Sequence, residues 1–142
     1  MGSAERNKAT ARRVFEELFN QRRLDVADEL FAPDYRNHAG AEFGGPEGMR
    51  RLVEELTTAF PDHHTQIDDI IAEDDRVALR VTFSGTHEAA FRGMPPTGRR
   101  FSQMQMHHVR LDDRGRAVDH WAVRDDVGMM AQLGLLPTPA DR

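Results

Sequence analysis

The apolar residues of this chain change their repeat at Pro61, from every third or fourth position to every second, and that switch constrains the fold more than any other feature. Ahead of it, Ala11, Val14, Phe15 and Leu18 form one stripe between Ala4 and Asn20, with Arg12, Arg13, Glu16 and Glu17 between them, and predict an amphipathic helix. A shorter helix is predicted from Val26 to Phe31, capped by Asp25 and closed by Pro33, followed by an extended stretch Tyr35-Arg36-Asn37-His38. Gly44-Gly45-Pro46-Glu47 starts a third helix, because proline is tolerated at the first helical position and an acid suits the first turn. Met49, Leu52, Val53, Leu56 and Phe60 are its buried stripe, and Pro61 stops it.

Beyond Pro61 the period-two segments are 65–72, 76–86, 101–111 and 117–124. Glu73-Asp74-Asp75 joins the first pair and Asp112-Asp113-Arg114-Gly115 the last, so both pairs are read as antiparallel hairpins. A closing helix runs from about Asp125 to Leu133 and stops at Gly134, and the tail with Pro137 and Pro139 is expected to fray. Helices first, then a meander, then one helix argue for a segregated α+β fold occupying residues 1–142 as a single domain. A long, twisted sheet wrapped by helices leaves a concave face, and that face is the predicted pocket.

Composition narrows the chemistry. There is no cysteine, which removes disulfides, thiolate nucleophiles and cysteine-ligated zinc together. The net charge of -5 and the scattered arginines lack the basic stripe of a nucleic-acid binder. No apolar run approaches the ~20 residues of a spanning helix, and the start shows no secretory pattern, so a cytoplasmic protein is expected. Neither a GxSxG elbow, a P-loop nor a dinucleotide fingerprint is present, so nucleotide cofactors are not indicated. The seven histidines lack the spacing of a shared metal site.

The ionisable residues that stand out are His107 and His108 on the third strand, and Asp125 and Asp126 after the fourth. Counting by twos groups Trp121, Val123 and Asp125 on one face, so a pocket lined by the indole would also receive that carboxylate. An aspartate walled by apolar groups has its charged form disfavoured and becomes a better acid or base near neutral pH. The same residue at a strand-to-helix junction also suits a helix cap. Only one of His107 and His108 can face the pocket. Met104, Met106, Met129 and Met130 suit either a flat apolar ligand or core gaps.

Four segments carry a resemblance to the SnoaL-like polyketide cyclases, or ester cyclases: Ala59-Phe60-Pro61-Asp62, Ser84-Gly85-Thr86-His87, Phe91 through Gly98, and His120-Trp121 through Asp125, Gly128 and Gln132-Leu133-Gly134. The resemblance runs from about Arg12 to Pro137. It implies a cone-shaped α+β barrel like that of ketosteroid isomerase, with a strongly curved antiparallel sheet wrapped by the N-terminal helices, and assembly as a homodimer or homotetramer. It also implies a cofactor-free intramolecular aldol condensation of an aromatic polyketide keto-ester. On that pattern Asp125 is the general acid/base and His107 its histidine partner. Trp121, Phe60 and Val123 then pack a small aromatic substrate, and Asn37 and His38 cover the mouth. An epoxide hydrolase, dehydratase or isomerase on the same fold, or a non-catalytic binder of a small apolar ligand, are the alternatives.

Overall fold

The computed structural model describes residues 2–136. Helix α1 (Ser3–Arg13) runs without a break into a segment of π-helical geometry, Val14–Asn20. The wider π turn directs Phe15, Leu18 and Phe19 inward together, where the sequence predicts an unbroken α-helix. A 3-10 turn (Leu24–Val26) leads into the short helix α2 (Ala27–Leu30), and strand β1 (Phe31–Asn37) follows at once. The predicted second helix therefore ends early, and Pro33 lies inside a strand instead of closing a helix. Proline is tolerated there because β1 is an edge strand, and the ladder is interrupted between Phe31 and Arg36. Helix α3 (Gly45–Ala59) has proline in its first turn, as expected, and ends one residue before Phe60.

The remaining strands are β2 (His64–Glu73), β3 (Arg76–Thr86), β4 (Arg100–Leu111) and β5 (Ala117–Arg124), before the closing helix α4 (Asp126–Gln132). The sheet order is β1-β5-β4-β3-β2. The four later strands form the expected antiparallel meander, while β1 adds a fifth strand parallel to β5. The result is a curved, unclosed mixed sheet with helices on its concave side, not a closed barrel. The expected fraying of Pro137 and Pro139 lies outside the described residues. No helix among the described residues is long and apolar enough to cross a membrane.

Two apolar clusters hold the layers together. The larger joins the α1 and π segment (Ala11, Phe15, Leu18) to Val77, Leu79 and Val81 of β3, and the smaller gathers Phe60, Phe83, Phe101, Met129 and Leu133 beneath α4. Between them the concave face of the sheet stays unfilled.

Candidate active site

The alternation on β4 fixes the character of the cavity. Phe101, Gln103, Gln105 and His107 are buried, while Met104 and Met106 are exposed. The usual inside-outside rule is therefore reversed along Gln103-Met104-Gln105-Met106: amides face the interior and thioethers face out. The cavity takes in Gln103, Gln105 and His107 from β4, His120 and Arg124 from β5, and Asn37 from β1. Its empty space, with the open solvent at the mouth included, is about 1090 Å³. Phe15 and Phe19 of the π segment, Leu52 and Leu56 of α3, and Phe60 make the opposite, apolar wall.

The polar residues form one continuous strip. His120 Nδ1 meets Asn37 Oδ1 at 2.9 Å, and His120 Nε2 meets His107 Nδ1 at 2.8 Å. His107 Nε2 meets Gln105 Oε1 at 2.8 Å, Gln105 Nε2 donates to Gln103 Oε1 at 2.8 Å, and Gln103 Nε2 donates to Asp126 Oδ1 at 3.0 Å. The two imidazoles stack with centroids 5.0 Å apart, and Phe15 seals His107 edge-on at 5.1 Å. Burial, with His120 and Arg124 nearby, holds the His107 ring well below its ordinary value. Burial, then Arg124 and His38, pushes His120 down to about 3. Both rings are neutral at physiological pH.

Arg124 lines the same cavity and, among the described residues, its guanidinium has no hydrogen-bond or ion-pair partner. Burial pulls its affinity for the proton below the ordinary value, with Asp126 acting in the opposite sense. A cation held in a mostly apolar cavity without a fixed partner suits an oxyanion or a carbonyl that gains negative charge.

Several expected site residues lie elsewhere. Trp121 and Val123 do share a face, as the count by twos requires, but it is the outer one, and Val123 is 75% exposed. Trp121 pairs with His108 across the ladder, stacks on His38 at 4.8 Å, and lies under the Arg76 guanidinium. His38 Nε2 also contacts Asp119 Oδ1 at 2.9 Å, on the outer face and outside the cavity lining. Asp125 caps α4, its Oδ1 accepting from the Gly128 N–H at 2.9 Å, and it does not line the cavity. The difference from the sequence expectation is one of parity: the register that pairs Val109 with His120 turns His120 inward and Trp121 outward. His107, Phe60 and Asn37 are in the lining.

Gln103, Gln105, His120 and Arg124 are not candidates on the sequence reading, and Asp126, which stands out there beside Asp125, is the carboxylate that enters the lining. One signal is present in the sequence, three polar residues at period two (Gln103, Gln105, His107) alternating with Met104 and Met106.

A family model for the SnoaL-like polyketide cyclases matches residues 9–133. The chain belongs to the SnoaL-like polyketide cyclase family. Among its relatives, the nogalonic acid methyl ester cyclase of Streptomyces nogalater is 36% identical over 121 residues, covering 82% of this chain and 89% of that protein. An aklanonic acid methyl ester cyclase of Streptomyces sp. (strain C5) is 33% identical over 130 residues, covering 87% and 80%. The crystal structure of IdmH from Streptomyces antibioticus superposes with a TM-score of 0.78 at 35% identity, covering 90% of this chain and 98% of that one. Within this family of enzymes, the cyclase resemblance read from the four sequence segments is thus secured by homology over most of the chain.

Proposed function

We propose that this SnoaL-like cyclase closes a ring of an aromatic polyketide keto-ester by intramolecular aldol condensation in the cytoplasm, with no cofactor. The observation that carries the reading is the strip of linked polar side chains, with Arg124 beside it, on one wall of an otherwise apolar cavity. A carbon flanked by carbonyl groups is acidic enough for a carboxylate to deprotonate, so the site must mainly position, desolvate and return the proton.

The acid/base role expected of Asp125 is here proposed for Asp126, the carboxylate that lines the cavity and ends the strip. Asp126 takes the proton from the substrate carbon and gives it back to the alkoxide formed when the new carbon–carbon bond closes. Arg124 meets the enolate oxygen, and His107 holds the glutamines in place. Phe15 and Phe60 supply apolar walls for the rings.

The test is ring closure of nogalonic acid methyl ester, followed by absorbance, with wild type and Asp126→Asn. Closure by wild type and a loss of about 10²-fold or more in the variant are expected. Equal rates would remove Asp126 from the chemistry, and no closure by wild type would remove this substrate class.

We also propose that the protein works as a homodimer through the outer face of its sheet. Ile71, Met104, Met106, Trp121 and Val123 are exposed large apolar side chains on that face. Ile71 lies across from Ala78, Ala78 from His108 and His108 from Trp121, so the group spans four strands. A second copy presenting the same face would bury them in an isologous contact.

A further inference from the structure

The strip links two fixed acceptors. Asn37 Oδ1 is an acceptor because the Ala39 N–H donates to it at 3.1 Å, which fixes the orientation of the amide. At the far end Asp126 Oδ1 accepts from Gln103. Between them lie five contacts, each of which needs one proton. A neutral imidazole or a primary amide supplies one donor and one acceptor along such a chain, so His120, His107, Gln105 and Gln103 supply four protons. One contact is left with two acceptors facing each other.

The position of the shortage follows from what each choice would leave unsatisfied. Placed between the two histidines, it would set two bare ring nitrogens face to face. Placed between His107 and Gln105, it would strip the Gln105 Oε1 of its donor. Placed between His120 and Asn37, it leaves Asn37 Oδ1 still bonded to the Ala39 N–H. Both histidines then carry their proton on Nε2, and His120 Nδ1 is a bare lone pair beside Asn37 Oδ1. Arg124 from β5 and His38 following β1 stand near His120, His107 lies beyond the ring, and Tyr35 and Phe15 line the same cavity. Both acceptors line the cavity.

We propose that the Asn37–His120 contact is completed by the ligand: a phenolic or enolic hydroxyl of the substrate donates to His120 Nδ1 and Asn37 Oδ1 and supplies the proton the strip lacks. The inference rests on the cyclase reading for the class of ligand and adds to it a required free hydroxyl, read by His120. A buried acceptor left unmade is costly, so a ligand that offers the hydroxyl gains over one that cannot. An O-methylated ligand would bring a third acceptor to two others and be rejected.

Two measurements test this. The first is ¹⁵N NMR of the histidine rings in the free protein. His107 and His120 are expected as Nε2–H tautomers in wild type. In Asp126→Asn the Gln103 amide stays fixed by the Asp125 carbonyl, to which its Nε2 also donates at 3.3 Å, so both rings are expected to keep the Nε2–H tautomer. A His120 Nδ1 already protonated in the free wild-type protein would overturn the proposal. The second is calorimetric binding of a hydroxyanthraquinone ester and its O-methyl ether. Wild type is expected to favour the free hydroxyl by on the order of tenfold or more, and His120→Phe to erase that preference. Equal affinities in wild type would overturn the proposal. Because neither readout requires turnover, a hydroxyl preference without ring closure would retain this inference and remove the cyclase, whereas closure without a preference would do the reverse.

Discussion

Asp125 and Asp126 are adjacent and chemically identical, yet only one of them reaches the cavity. Strand β5 ends at Arg124, and the turn into α4 spends the first carboxylate on the Gly128 amide while the second meets Gln103. Replacing Asp125 with alanine should cost about 1 kcal/mol of stability, the usual value of a helix N-cap, seen as a lowered urea midpoint. It should leave most of the ring-closure rate, in contrast to Asp126→Asn. A Asp125→Ala variant as inactive as Asp126→Asn would return the acid/base role to Asp125. At this scale Phe60 is legible from the stripe of α3, whereas His107 and Asn37 enter through the family resemblance, because parity alone leaves His107 and His108 open. His120 was not legible, because a histidine beside a tryptophan gives no sign of which of the two faces inward.

At the scale of the element, β4 carries the lesson about parity. Hydrophobic burial orients a strand when apolar residues alternate with polar ones and only one face is dry. In β4 the polar wall of the cavity takes Gln103, Gln105 and His107, and the methionines go outside, so the ordinary rule points the wrong way. Such an inversion is costly for an isolated protomer and is relieved if the outer face is covered. Trp121→Glu should therefore turn a dimer into a monomer in sedimentation velocity while leaving the cavity wall intact. A wild-type protein that sediments as a monomer would contradict the proposed contact. The hairpins and α3 were legible from turn chemistry and apolar spacing. The π geometry of Val14–Asn20 was not, since its stripe at three-to-four spacing is shared by an ordinary helix.

For the whole molecule, the switch of period at Pro61 located the helical and sheet layers, but not the pairing of β1 with β5, which depends on contacts more than eighty residues apart in sequence. The same burial that shapes the cavity makes the fold sensitive to acid. His107 and His120 are held neutral, and His63, buried near Arg22, is pushed down to about 4. Each of these groups binds a proton in the unfolded chain at a higher pH than in the folded one, so stability present above about pH 6.5 is lost as the pH falls toward 4. Asp119 adds to this at lower pH. Its burial would raise its value, but hydrogen bonds from His38, Arg110 and Arg36 outweigh that and hold it at about 2, so its contribution is present above about pH 4 and lost below. Urea unfolding at stepped pH should show the free energy declining between pH 6.5 and 4 and more steeply below. A flat profile across that range would show that the three histidines are not buried as neutral rings.

The most direct measurement is the rate of ring closure of an aromatic polyketide keto-ester by the purified protein, taken side by side for wild type, Asp125→Ala and Asp126→Asn. Closure by wild type, near-wild-type closure by Asp125→Ala, and loss of about 10²-fold or more in Asp126→Asn are expected. Closure that survives in Asp126→Asn, or fails in wild type, would contradict the proposed function.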